Sequence, residues 1–470
     1  MKLTLAILFF SLASPTWATT YYLATAAGGG NDSNSGLSSS APWLTPNHAV
    51  NCGDVILAAP STAYLAANFS GGQWGKVSCP GGNNVAWLRC ATFDTCKISV
   101  SGGGATANGM LVATSYWGVQ GWEVTTSSTS GSCFQAYPLS GTEIHHIIFA
   151  NDIANGCGNM GFGEAPNGSA GVDYLVVVGS IAYSGVQNST FCQSGLDIFE
   201  PVASDTLPGT HNYFGGNFMY GNVNANTCAG TPATDGEGII LDTFSNGSYA
   251  GQTVVDNNIV IYNGGRGILA YSNTSAPIYI RKNTVYGNNT QTGQSNLGNC
   301  GEIDLNVTVS TQAFLNIAQT KVPVAGCNSN LTYAYWVTSG NGSDAIYQNY
   351  GYDAFGNNDG VSNSPGFTYN PNNLFGTNPT FANPIVPGAP ACGTFTSVPA
   401  CMATVIANFT PTNAAARAYG YQVPVTTSIY DNLFPQWLCN VNLPTGLVTI
   451  GCLPVSSLPA SVTLTSVIVK

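Results

Sequence analysis

Val254-Val-Asp-Asn-Asn-Ile-Val260 and Ile278-Tyr-Ile-Arg-Lys-Asn-Thr-Val285 decide how this chain folds. In each, a short apolar run is followed by Asn or a small residue, then by more apolar residues, and soon by Gly or Asn. The pattern recurs in Ile147-Ile-Phe-Ala-Asn-Asp-Ile153, Leu175-Val-Val-Val-Gly-Ser-Ile181 and Tyr213-Phe-Gly-Gly-Asn-Phe-Met219. From Ile153 through Ile181, Phe218 and Ile259 to Thr284, the steps are 28, 37, 41 and 25 residues. Each step holds a further short strand beginning at Gly: Gly195-Leu-Asp-Ile198, Gly238-Ile-Ile-Leu241, Gly267-Ile-Leu-Ala270 and Gly301-Glu-Ile-Asp-Leu305. Short β-rich units at uneven spacing predict a solenoid whose coils bury one another. No helical periodicity longer than two turns is apparent, which argues against helical repeat arrays. Asn151, Asn217, Asn258 and Asn283 read as structural ladder residues between coils.

Composition narrows the function. Of 470 residues only 10 are Lys or Arg and 21 are Asp or Glu, giving a formal charge of −11. A nucleic-acid partner needs clustered cations, so that class is excluded. With 44% apolar and 11% aromatic residues, the chain is not disordered. Gly, Asn, Ser and Thr must solvate the surface in place of charge.

Lys2 precedes the apolar run Leu3–Leu12, and Thr16-Trp-Ala18 supplies a small-residue cleavage site. Residues 1–18 therefore read as a signal peptide, and the protein as secreted to an extracellular or periplasmic space. No later stretch is long and apolar enough to span a bilayer. All 14 cysteines follow the signal, so they predict up to seven disulfides whose pairing the sequence does not reveal. The expected organisation is an N-terminal cap with first coils over 19–110 and a β-helix core over 111–350. A Pro-rich extension over 351–470 then caps or packs along the solenoid. A monomer is expected.

Asp256-Asn-Asn-Ile-Val-Ile-Tyr-Asn-Gly-Gly-Arg-Gly-Ile268 and Asn283-Thr-Val-Tyr-Gly-Asn288 resemble coils of the right-handed parallel β-helix, pectate-lyase-like superfamily. Tyr21-Tyr-Leu23, Pro42-Trp43 and Gly53-Asp-Val-Ile56 are similar to its N-terminal strand and cap. The expected fold is thus all-β: a single-stranded right-handed parallel β-helix with disulfides.

Outward side chains of stacked strands meet across coils, about 4.8 Å apart. Nine of the 21 acids lie between 194 and 306, which directs attention to those coils. Thr234-Asp-Gly-Glu-Gly-Ile-Ile-Leu-Asp-Thr-Phe244 is the most distinctive stretch. If Ile239 and Leu241 face the core, Ile240 and Asp242 face outward. Two carboxylates on one groove are what glycosidic hydrolysis requires. Asp235 and Asp242 around Gly-x-Gly-Ile-Ile resemble the acid pair of glycoside hydrolase family 136, a retaining lacto-N-biosidase family built on a β-helix. That resemblance implies Asp235 as acid/base and Asp242 as nucleophile. An extended chain would hold the two about 23 Å apart, while retention needs about 5–5.5 Å. The chain must therefore bend at Gly236 and Gly238, or the partner of Asp242 comes from Glu237, Glu302, Asp197 or Asp304.

The leading expectation is a retaining glycosidase acting on a neutral oligo- or polysaccharide without a cofactor. Glu237 and Glu302 are the alternative acids, and Asp197, Arg266, Asp304 and His211 are candidate substrate contacts. A second reading is a Ca²⁺-dependent polysaccharide lyase, with Arg266 or Lys282 as base and Asp235, Glu237 and Asp242 as oxygen ligands. A third is a non-catalytic glycan-binding or adhesive β-helix, in which Trp117, Trp122, Phe199, Phe244 or Tyr271 would stack on sugars. The histidines show no metal-binding spacing, and no metal site is assigned.

Overall fold

In a computed structural model of the chain, the described residues are 18–441, except 83, 105, 140, 189, 245–248, 274–275, 292–299, 322–331, 339–343, 355–367, 370–371, 385–396 and 422–432. Three parallel sheets of 12, 11 and 8 strands run side by side. A complete coil adds one strand to each sheet in turn, as with Gln252–Asp256, Ile259–Ile261 and Ile268–Asn273. The chain is a parallel β-helix. Its first sheet starts at Thr20–Leu23, and its second ends at Leu374–Phe375. The stack thus takes in the 19–110 segment and continues past residue 350. The signal-like residues 1–17 lie outside the described residues; Thr19 donates its backbone N–H to Asp54 Oδ1 at 2.7 Å.

The register of the second sheet follows the sequence repeat: Ile153, Ile181, Phe218, Ile259 and Thr284 pair in successive coils. In the first sheet Tyr213 pairs with Val176, and the ladder onward to Gln252–Asp256 shifts register around His211. Alternation directs Ile239, Leu241, Ile268, Ala270, Ile303 and Leu305 into the interior, where each is fully buried. Removing one of these Ile or Leu side chains from water contributes about 1.5–3 kcal/mol.

Corners between the first and second sheets turn on one left-handed residue, such as Asn257 (φ 60°), Lys282 (φ 52°) or Leu315 (φ 57°). The residue that follows joins a buried ladder. Asn217, Asn258, Asn283, Asn316 and Asn349 each donate a backbone N–H to the next carboxamide, at 2.9–3.0 Å, ending on Asn373. Asn151 is not a rung. It is the left-handed residue, and Asp152 holds the ladder position, accepting from Trp122 N–H. Asn258 Nδ2 also donates to Phe214 O at 3.0 Å. Asn258→Ala leaves the Asn217 N–H buried without its acceptor, so it should cost about 1–3 kcal/mol. Chemical denaturation checks this; an unchanged midpoint counts against a load on the ladder.

Beyond the coils, the twelve-residue helix Val398–Phe409 buries Val398, Cys401, Met402, Val405 and Phe409 against the second sheet's outer face. Its signal was available in the sequence: an apolar stripe at helical spacing after the N-cap Ser397, with Pro399 in the first turn. Leu433, Phe434, Leu438 and Val441 pack on the outer face of the first sheet. Disulfides join Cys52–Cys79, Cys90–Cys96, Cys133–Cys157 and Cys192–Cys228. Cys401 and Cys439 are disulfide-bonded as well. Cys327, Cys392 and Cys452 lie outside the described residues. Among the described residues no helix is long and apolar enough to cross a membrane.

Candidate active site

The third sheet carries the acids. Leu196, Ile239, Ile268 and Ile303 are in register and face the core. The next outward row is Asp197, Ile240, Leu269 and Asp304, and the row two residues on is Phe199, Asp242, Tyr271 and Asn306. Asp242 is therefore outward, as alternation predicts. Gly238 is required at the start of its strand, since a Cβ there would lie 2.2 Å from Val260 Cγ1. One residue earlier in the same register stand Glu237 and Arg266. In the following coil Glu302, not Gly301, occupies the glycine position.

Gly236 is left-handed at φ 96°, and its N–H bonds Gln193 O at 3.1 Å. A left-handed turn thus precedes the strand, and the charge of Asp235 acts on Asp197, Glu237 and Asp242. Burial pushes Asp242 up to about 6; the Thr243 hydroxyl opposes this, and the charges of Asp235 and Glu200 add to it. Burial likewise raises Asp235, against a hydrogen bond from Thr234 and the charge of Arg266. Asp197 is driven well above the carboxylate range by burial, then by Asp235, Asp242 and Glu237. Asp235 and Asp242 remain partly exposed, whereas Asp197, Glu237, Glu302 and Asp304 are buried.

The buried members have defined partners. Arg266 lies between two carboxylates, with Nη1 3.3 Å from Glu237 Oε1 and Nε 3.1 Å from Asp304 Oδ2. Burial alone would lower the guanidinium's pKa, but Asp304 and Glu237 outweigh it and hold Arg266 charged. Glu237 Oε2 also accepts from Ser194 Oγ at 3.0 Å. Burial, followed by Asp235, pushes Glu237 up, and Arg266 opposes them. Glu302 ends a second asparagine ladder, accepting from Asn288 Nδ2 at 2.7 Å after Asn222, Asn263 and Asn288. Its geometry is that of a ladder cap.

Three expectations are corrected here. Arg266 is an ion-pair residue between acids rather than an open substrate contact. Lys282 lies at the corner between the first and second sheets, the one corner that the third sheet does not share, so it is not a base for this site. His211 belongs to a different cluster, buried on the first sheet, with Nδ1 3.0 Å from Asp173 and Nε2 3.1 Å from Tyr174 Oη. His146 stacks on Tyr174 in the same place, at 4.4 Å between ring centroids. Of the proposed stacking aromatics, Trp117, Trp122 and Phe244 are wholly buried, while Phe199 and Tyr271 flank Asp242 in its row.

Sequence reasoning passed over Glu200, whose N–H bonds Asp242 O at 3.1 Å and whose charge acts on that carboxyl. Its left-handed φ of 53° turns it back toward Asp242, which strand alternation could not foretell. Among the described residues no three His, Cys, Asp or Glu groups converge in a geometry for holding a metal ion.

No family model and no curated protein matches the chain. Among solved structures, the pectate lyase Pel9A is similar over 79% of this chain and 84% of its own, with 18% identity and a TM-score of 0.45. The family 136 lacto-N-biosidase from Eubacterium ramulus is similar over 76% of this chain and 68% of its own, with 10% identity and a TM-score of 0.42. A rhamnogalacturonan lyase is similar over 69% and 87%, at 18% identity and a TM-score of 0.34.

Proposed function

We propose that this protein is a secreted carbohydrate-active enzyme, a retaining glycoside hydrolase that cleaves a neutral oligo- or polysaccharide. One observation carries the reading: beside the bend of Gly236, Asp235 and Asp242 keep solvent access and the charge of Asp235 raises the proton affinity of Asp242, while Arg266 neutralises the acids beneath them. Asp242 attacks the anomeric carbon as the glycosidic bond breaks, and Asp235 gives its proton to the departing oxygen. Water then attacks the glycosyl–Asp242 ester, Asp235 takes the water's proton, and the sugar leaves with its configuration retained.

A lyase with Arg266 as base has less support, because two carboxylates hold that guanidinium charged and buried. The test is a screen of neutral glycans and polyuronates for new reducing ends, read with the ultraviolet absorbance of unsaturated products. Reducing ends without that absorbance, unaffected by chelator, are expected. Unsaturated products lost in chelator would establish the lyase, and binding without release would establish a non-catalytic solenoid.

The pH profile follows from the same groups. The nucleophile must be ionised, and Asp242 titrates near 6, so kcat/KM should climb as pH rises through about 6. Asp235 must be protonated; burial raises its proton affinity above that of an ordinary Asp, and the rate should fall once it ionises. A profile with its acid limb near 4, the value of an unperturbed Asp, would contradict this assignment.

A further inference from the structure

We infer that Phe191 and Tyr271 are paired sugar-stacking platforms at the two ends of the carboxylate cluster, bridged by a single neutral oligosaccharide chain. The substrate class rests on the glycosidase reading above; the platforms rest on exposure and position. The chain has 20 Phe, 23 Tyr and 8 Trp, yet among the described residues only Phe191 and Tyr271 have exposed rings, at 44% and 41%. Every other described aromatic side chain is at least partly covered.

Both rings are fixed by the elements that build the site. Tyr271 is the cross-strand neighbour of Asp242, and its carbonyl accepts the Thr243 N–H at 3.0 Å. Phe191 precedes Cys192, which is bridged to Cys228, and Gln193 O and Ser194 Oγ then bind Gly236 N–H and Glu237. One ring thus stands before the strand that carries Asp242, and the other at its end. Glu237 to Asp242 is five steps of strand, about 17 Å, a span that calls for several sugar rings rather than one. Aromatic faces hold the C–H faces of pyranoses, with apolar contact at one side and wet hydroxyls at the other. A uronate chain would instead seek a cation, and Arg266 is already shared by Glu237 and Asp304.

The test uses the full chain, with Phe191→Ala, Tyr271→Ala and the double variant, in native gels cast with soluble galactan, xylan, mixed-linkage glucan or polygalacturonate. At least one neutral polysaccharide should retard the parent protein. Each single variant should weaken that retardation about 5–10-fold, a loss of about 1–1.4 kcal/mol, with an unchanged thermal midpoint. Equal retardation of parent and variants overturns the proposal, as does retardation by polygalacturonate alone or by no polysaccharide. If the variants lose retardation while the parent releases no reducing ends, the platforms stand and the hydrolase reading falls.

Discussion

Asp242→Asn is expected to lower glycan hydrolysis about 10³-fold or more while leaving the coils folded. The substitution keeps the size of the side chain and a polar partner for the Thr243 hydroxyl, which lies 2.7 Å from Asp242 Oδ1. Ile239 and Leu241, on the same strand, remain the core contacts. What disappears is the charge that, in the proposed mechanism, attacks the anomeric carbon. Asp235→Asn should behave differently, since its proton matters only when the leaving oxygen is basic. On an aryl glycoside with an acidic phenol it should retain far more activity than on a natural glycan, whereas Asp242→Asn should be inactive on both. Steady-state kinetics of the two variants on both substrates check the roles. Full activity of Asp242→Asn would remove this residue from the mechanism, and an equal loss of kcat/KM on both substrates for Asp235→Asn would remove the acid role.

Arg266→Met should destabilise the fold by about 3–5 kcal/mol at neutral pH, the usual consequence of deleting one member of a buried ionic group. Glu237 and Asp304 would each lose their cation where water does not reach. The deficit should depend on pH with a defined sign. Both acids already have folded-state pKa values raised by burial, and removing the guanidinium raises them further. The folded variant then binds protons more tightly than the unfolded chain, so its stability falls as pH rises and the gap to the parent narrows in acid. Adding Glu237→Gln and Asp304→Asn should restore most of the loss. Urea denaturation at pH 5 and pH 8 reads all of this. A pH-independent deficit would show that packing by the arginine stem, not charge, is what matters.

The fold was legible because β-helix coils write their geometry locally. Ile153, Ile181, Phe218, Ile259 and Thr284 are spaced unevenly in sequence yet stack in register, since each follows the same left-handed corner and ladder position. The outward aim of Asp242 was also legible, being a matter of alternation. Asp235 was harder. Its place depends on φ at Gly236, which the sequence permits but does not dictate. The fates of Arg266 and Glu302 were hidden for another reason. Arg266 meets its partners across coil boundaries, 29 and 38 residues away, Glu302 meets Asn288 across a corner of its own coil, and a chain reading cannot tell an open groove from a filled one. The His211 cluster likewise joins Asp173, Tyr174 and Asp205 from successive coils. Its only trace was polar residues before the apolar runs at Val172-Asp-Tyr and Thr210-His-Asn.

The two kinds of seam along the solenoid have a consequence for how it answers its surroundings. The disulfides with both partners described lie between residues 52 and 228, while the asparagine rungs run from 217 to 373. A thiol reductant acts on the first set and leaves the second untouched. The strands that hold Asp242 and Arg266 belong to coils kept in step by carboxamides, but the turn bearing Phe191 is tethered through Cys192 and Cys228. On the proposed reading, grip on a long glycan and chemistry at the anomeric carbon would therefore depend on different bonds, and a reducing environment would slacken the former before the latter.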